Sequence, residues 1–151
     1  MDILYTLFKF LHVVAVIVWL GGVATLSLVH LRLLAGQDRR DLLPTLRLGL
    51  FLGRGVIGPA ALLTLIAGIA MLANAGISFA TLWVAWGFGG IALSIAFGAT
   101  LIRRATEHLE QATTAGAPAI APLQRRLVTY SFVNLALLLS AVWAMVAKPT
   151  L

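Results

Sequence analysis

His12 is the residue of this sequence whose type and surroundings point most directly to chemistry. It stands in the apolar run of residues 8–22, FKFLHVVAVIVWLGG. An ionisable side chain inside such a run is costly, and it usually faces a bundle interior or a water-filled cavity. Neutral imidazole is the commonest metal-ligating side chain. We therefore expect His12 to bind a metal or haem iron or to carry a proton. The plainer alternative is a hydrogen bond to a neighbouring helix, with Ser140 or Asn134 as its partner.

Two further histidines are candidate ligands. His30 follows His12 by eighteen residues, which is five helical turns or about 27 Å, so both lie on one helix face. Two histidines at opposite membrane depths would suit two stacked haems, although a histidine at a helix end is also an ordinary interfacial residue. His108 lies in RRATEHLEQ. It is either solvated or, if it meets His30, part of an inner metal site.

Haem iron in a b-type cytochrome generally needs a second axial ligand. Met71, Met145 or the His12 of a second subunit could supply one, although most such methionines simply fill space in the core.

Other side chains could contact the same cofactor. Trp19 is seven residues after His12, on the same face. Lys9 and Lys148 are cations near one end of the bundle that would pair with haem propionates or extend to the membrane interface. Arg54 either lies at headgroup level or points inward.

Other common site chemistries find no support. The acidic residues Asp2, Asp38, Asp41, Glu107 and Glu110 all fall at ends or in predicted loops, so no carboxylate relay crosses the membrane. The sequence has no cysteine, which excludes thiolate-ligated iron–sulfur and zinc sites.

The elements that must position these residues are membrane helices. Of the 151 residues, 61% are hydrophobic and 11% charged, and the mean hydropathy is +1.02, whereas soluble domains are about half apolar and about a quarter charged. Four segments, 3–29, 55–77, 80–102 and 127–147, reach the roughly 20 residues that span a bilayer. We predict one transmembrane domain over residues 1–151, an all-α four-helix bundle running up-down-up-down. The first segment lacks a basic leader and is interpreted as a retained helix.

The charge distribution predicts the orientation of the bundle. The net charge is +6, but the arginines flank the predicted helix ends rather than forming one basic surface, so we do not expect nucleic-acid binding. Nine of the eleven Lys and Arg residues fall around the first and third loops. This positive-inside pattern places those loops in the cytoplasm and both termini outside.

Proline and small residues predict the loops and the helix contacts. Pro44 marks a helix start or break in a first loop that is long enough to hold a short interfacial helix, and Pro59 kinks the second span or opens its first turn. The third loop, EQATTAGAPAIAP, is expected to be a flexible linker. Small residues recur every four positions in the two middle spans and predict close helix contacts; they are Ala60, Thr64, Gly68, Gly90, Ser94 and Gly98.

Four sequence patches together resemble a superfamily of small membrane proteins. FLHVVAVIVWLGG, RGVIGPAALLTLIAG, LWVAWGFGG and WAMVAKP follow one another along the chain. In this order they are similar to HemJ-type protoporphyrinogen oxidases, CopD-type copper-resistance membrane domains and related uncharacterised membrane proteins. The resemblance implies haem binding at His12 with a lysine of the third helix, but LWVAWGFGG contains no lysine. For the CopD type it implies copper handling across the membrane, in which His12 would serve with Met71 or Met145 as soft ligands.

The sequence thus leads us to expect a multi-pass protein of a bacterial inner membrane. It would bind haem b through His12 and transfer electrons to an acceptor such as a quinone, as a possible membrane haem oxidoreductase. The alternatives are a copper-handling protein and a cofactor-free accessory subunit. Association with a second copy or with a membrane complex is also expected from the small-residue helix faces.

Overall fold

The computed structural model describes residues 3–36 and 40–149, and throughout these ranges the regular structure is helical. Two π-helical segments interrupt longer helices: the first π segment is Gly53–Ile57 and the second is Gly98–Ile102. The α-helices are α1 (Ile3–Ala35), α2 (Leu42–Leu52), α3 (Gly58–Ala75), α4 (Leu82–Phe97), α5 (Arg103–Thr114) and α6 (Ala121–Ala147).

Four helices of the described chain are long and apolar enough to cross a membrane. They are α1, the continuous helix Leu42–Ala75, the continuous helix Leu82–Thr114 and α6. The predicted all-α four-helix membrane architecture is confirmed. Nine arginines occur near one end of this bundle in the sequence; we call it the arginine end, and it is the end predicted to be cytoplasmic.

The helices extend further at the arginine end than predicted. The first loop does not contain a separate interfacial helix, because α2 continues through the first π segment into α3. The expected flexible linker is shorter, since α5 reaches Thr114. Apolar side chains of α2, of α5 and of the start of α6 with its N-cap residue bury one another. They form an arginine-end cluster of Leu42, Leu46, Leu109, Ile120 and Leu127. Burial of this area stabilises helical turns that lie beyond the most apolar stretches.

The four spans pack unevenly around the bundle. α1 packs closely against α3 and α6, and α4 packs against α6, whereas α3 and α4 meet over a much smaller area. The middle of the bundle is filled by a middle cluster of Trp19, Val23, Ala60, Ala61, Ile91, Leu138 and Ala141. Small residues allow these close approaches, as predicted: the Cβ position of Gly90 lies 3.0 Å from Ala141 Cβ.

Pro59 explains the first π segment. Proline has no backbone N–H, so the carbonyl of Gly55 loses its partner in an α-helical register. The backbone N–H of Gly58 instead donates to the Gly53 carbonyl, five residues earlier. The expected disturbance at Pro59 therefore takes the form of a widened π turn.

Thr100 accompanies the second π segment. Its hydroxyl donates to the Ala96 carbonyl at 2.6 Å, and such a side chain bond competes with the backbone ladder. The Arg103 N–H reaches the Gly98 carbonyl, five residues back. The two spans that contain α3 and α4, which meet over only a small area, are thus each widened by one π segment.

Candidate functional site

A cavity of about 270 Å³ lies between the two π segments and α1 and α6. Trp19, Val23 and Ala61 of the middle cluster form its inner end. Both π segments line it, through Gly53 and Ile57 on one side and through Gly98 and Ile102 on the other. π turns occur frequently at functional sites, and the volume is near the lower end of the roughly 300–1,000 Å³ found for ligand pockets.

His30 reaches this cavity from α1. The residue is 4% exposed, and its Nδ1 lies 2.9 Å from Ser131 Oγ on α6. Nε2 lies 3.9 Å from the position that a Cβ on Gly49 would occupy, and Gly49 also lines the cavity. No hydrogen-bond partner for Nε2 occurs within the described residues, where every fully occluded side-chain nitrogen and oxygen has one. Nε2 is therefore open to the cavity.

Asn134 supplies a second polar group from α6. It is buried, and its Oδ1 accepts a 2.6 Å hydrogen bond from Ser94 Oγ of α4. Its Nδ2 has no partner among residues 3–36 and 40–149, and both Asn134 and Ser94 line the cavity. Because Ser131 and Asn134 are three residues apart on α6, they project from one face about 4.5 Å apart along the axis. The His30 imidazole, which is bonded to Ser131, and the Asn134 amide therefore line the cavity about one turn of α6 apart.

Charged residues stand at the rim. Arg54 and Arg103 line the cavity, and both approach the same carboxylate oxygen of Glu107, at 3.2 and 3.6 Å. The side chain of Arg54 is 66% exposed, so this pair is solvated and weak on its own. Two guanidinium groups sharing one carboxylate leave a net positive rim.

His12 lies elsewhere. Its Nδ1 donates to the backbone carbonyl oxygen of Thr64 at 2.9 Å, in the half-buried contact between α1 and α3. The expected partners Ser140 and Asn134 were wrong, because α1 faces α3 at this depth and Asn134 is engaged with Ser94. Close contact is possible because Gly68 has no side chain: a Cβ there would lie 3.3 Å from His12 Cε1. His12 is not among the residues lining the cavity.

The other predicted site residues divide into two groups. Trp19 and Arg54 line the cavity together with His30. Lys9 and His108 are exposed on the helix surface, and the Lys148 ammonium lies 5.6 Å from the centre of the Trp83 ring. His12, His30 and His108 do not come together, and no group of three potential His, Cys, Asp or Glu ligands forms within the described chain. Asp2, Asp38 and Arg39 lie outside the described residues.

Sequence reasoning missed most of the polar lining of the cavity. Ser94, Ser131, Asn134 and Arg103 were not assigned to a site, although Asn134 was considered as a partner of His12. One usable signal was the pair Ser131 and Asn134, polar residues one turn apart at the start of the mainly apolar second half of α6. Such a pair predicts an inward polar face, but the residue opposite it depends on which helix is the neighbour.

Comparison with known proteins adds a family assignment. No curated protein and no solved structure matches the chain. A family model described as "Predicted integral membrane protein (DUF2269)" matches residues 6–149, which include all but the first three residues of α1, the other three spans and every residue of the cavity. The chain is therefore a multi-pass integral membrane protein and belongs to the DUF2269 family.

Proposed function

We propose that this protein binds the headgroup of a quinone or quinol in the cavity between the two π segments. The observation that carries the proposal is that two buried residues, His30 and Asn134, line one cavity. Each has one side-chain nitrogen without a hydrogen-bond partner among the described residues. Polar and ionisable side chains inside a membrane bundle usually face its interior or a water-filled cavity, and they mark functional sites.

The hydrogen-bonding capacity fits both redox forms of such a ligand. Asn134 Oδ1 is already occupied by Ser94, so the free amide N–H groups can only donate, and a carbonyl or hydroxyl oxygen can accept. His30 can do either. When the Ser131 hydroxyl donates to the Leu127 carbonyl at 2.9 Å, His30 carries its proton on Nδ1 and Nε2 accepts from a quinol hydroxyl. When the hydroxyl turns to Nδ1, Nε2 carries the proton and donates to a quinone carbonyl.

The walls of the cavity suit a flat, largely apolar ring. Leu26, Leu50, Ile57 and Ile95 line it alongside the indole of Trp19. A pocket of mostly apolar walls with a few convergent polar groups is the usual form of a small-molecule site.

Fluorescence of Trp19 can test the proposal directly. The other tryptophans, Trp83, Trp86 and Trp143, do not line the cavity and would be replaced by Phe. We expect a decyl-tailed ubiquinone analogue, titrated into this protein in detergent micelles, to quench Trp19 saturably. Asn134→Ala should weaken binding about tenfold, the equivalent of one hydrogen bond.

Ser140→Ala is the matched control, because Ser140 donates only to the Leu137 carbonyl of its own helix and is not a cavity residue. Its affinity should remain within twofold of the parent. Quenching that rises linearly with quinone, equally in the parent and in Asn134→Ala, would overturn the proposal.

Haem b at His12, with electron transfer to a quinone or another redox partner, is the second candidate. The observation in its favour is the Nδ1–H bond to the Thr64 carbonyl, since ligating histidines usually donate their other N–H in this way and leave Nε2 basic. The resemblance of the sequence to HemJ-type and CopD-type proteins, which implies haem or copper binding, would also favour this candidate. Haem would supply one-electron chemistry, and His12 would supply one axial nitrogen.

The hydrogen bond from Nδ1 is the one feature of a haem ligand that the surroundings of His12 provide among the described residues. His12 does not line the 270 Å³ cavity, and Met145 is directed to Gly87, whose Cβ position lies 2.7 Å from Met145 Cε. The residues of a single chain therefore do not fit an enclosed haem at His12, and we derive no step through it. A Soret band in purified protein that disappears in His12→Ala would support haem. Colourless protein that contains one equivalent of copper would support copper handling. Colourless, metal-free protein would contradict both haem binding and copper handling.

A further inference from the structure

We propose that the ligand reaches the cavity from the side, out of the bilayer, through a lateral window between the two π segments, and that its tail stays in that window. This inference rests on the proposed function, and it specifies the ligand as a quinone with a long apolar tail.

The packing of the spans leaves this side of the cavity open. The two π segments line the cavity from opposite sides, and no Cα atom of one lies within 8 Å of a Cα atom of the other. The spans that contain them meet above and below. Toward the arginine end, α2 and α5 bury Leu46 against Leu109. Toward the opposite end, Phe88 Cζ of α4 lies 3.5 Å from the Cβ position of Gly68 on α3.

Glycines form the edges of the window. Gly53 begins the first π segment and Gly98 begins the second. A Cβ built on either residue would meet no heavy atom within 4 Å, although both residues line the cavity. Some glycines of this bundle allow a neighbouring helix to approach, as Gly90 does with Ala141. Gly53 and Gly98 instead border open space.

An ion pair crosses the window at its arginine-end edge. Arg54 of the first π segment donates to Glu107 of α5 at 3.2 Å, so it connects the two spans that the window separates. Charged side chains of this kind settle at the depth of lipid headgroups. The part of the window below them, between Ile57 and Ile102, accordingly faces the acyl chains.

The volume of the cavity indicates where a tail must go. About 270 Å³ accommodates a substituted ring but not a long isoprenoid chain as well. The middle cluster closes the inner end of the cavity. A tail attached to a ring held by His30 and Asn134 therefore leaves between Ile57 and Ile102, which are apolar, and enters lipid without crossing the charged rim.

Substitution at Gly98 tests the window. Gly98→Leu should fold, because a Cβ at this position meets no heavy atom within 4 Å, and the larger side chain should obstruct the tail. We introduce it into the variant in which Trp19 is the remaining tryptophan. There we expect it to weaken binding of the decyl-tailed quinone at least tenfold in liposomes. Binding of a tailless dimethoxybenzoquinone should change by less than threefold, since His30 and Asn134 are untouched. Gly53→Leu, on the opposite edge, should act in the same way.

One control isolates the obstruction from other effects. Gly89→Leu adds the same side chain at an exposed position of α4 that does not line the cavity, and a Cβ there likewise meets no heavy atom within 4 Å. It should bind the tailed quinone within twofold of the parent protein. Unchanged binding of the tailed quinone to both leucine variants, or equal loss of both quinones, would overturn the window. If the parent protein binds neither quinone, the proposed function itself fails.

Discussion

Ser131 Oγ lies 2.9 Å from His30 Nδ1, and it is also 2.9 Å from the Leu127 carbonyl oxygen of its own helix. A hydroxyl group has one proton to donate, so it can donate to only one of these acceptors at a time. The choice determines which nitrogen of His30 carries the ring proton. A residue of α6 thereby sets the hydrogen-bonding character that a residue of α1 presents to the cavity.

Removing that hydroxyl should destabilise the fold. In Ser131→Ala the buried His30 Nδ1 loses its partner, and a buried polar group left unpaired costs about 1–3 kcal/mol. We expect a lower midpoint of thermal unfolding, followed by circular dichroism in micelles. Ser140→Ala, which removes a half-buried bond within one turn of the same helix, is the control and should cost less than about 1 kcal/mol. An equal loss in both variants would show that His30 does not depend on Ser131.

A side chain at position 68 should disrupt the packing of His12 against α3. A Cβ there would lie 3.3 Å from His12 Cε1 and 3.5 Å from Phe88 Cζ, so the larger Gly68→Val must displace the imidazole or separate α1 from α3. Overfilled contacts of this kind typically cost about 1–3 kcal/mol. Thermal unfolding would measure the loss. At Gly21 of α1 a Cβ meets no neighbour, so Gly21→Val should cost less than Gly68→Val, and the reverse order would contradict the packing described here.

Two glycines of α4 should respond differently to the same substitution. In Gly90→Ala the new methyl would lie 3.0 Å from Ala141 Cβ, which is fixed to the backbone of α6. In Gly87→Ala it would lie 2.7 Å from Met145 Cε, the flexible end of a side chain that adapts readily. Gly90→Ala should therefore be the more destabilising variant in thermal unfolding, despite its longer contact distance. Adding Met145→Ala should relieve Gly87→Ala and leave Gly90→Ala unrelieved.

The ion pair at the rim should contribute little to stability. Glu107→Gln removes the carboxylate shared by Arg54 and Arg103, but the guanidinium groups are largely solvated. Exposed pairs typically contribute about 0–1 kcal/mol, so the unfolding midpoint should change only slightly, and the change should diminish at high salt. A loss well above this range would indicate that Glu107 holds the two spans together. Glu110→Gln, which removes the partner of Arg47, is a comparable variant.

Much of the architecture could be predicted from the sequence because it depends on properties that act along the chain. Apolar length alone indicates a membrane span, and four such spans were recognised with their order and small-residue faces. Pro44 correctly marked the beginning of α2, and Pro59 correctly marked a disturbance. The disposition of arginines at one end followed from their positions. The membrane orientation that they imply remains a prediction, as does haem at His12.

Only the tertiary structure determined which side chains share a site. His12 and Asn134 are both polar residues in apolar helices, and the sequence offered them as partners. α1 instead presents His12 to the Thr64 carbonyl of α3, while α4 supplies Ser94 to Asn134. The cavity arises where two π turns widen adjacent spans and the backbones of the π segments stay apart. Such a gap depends on how far neighbouring helices can approach one another, and this distance is a property of the packed bundle rather than of any one segment.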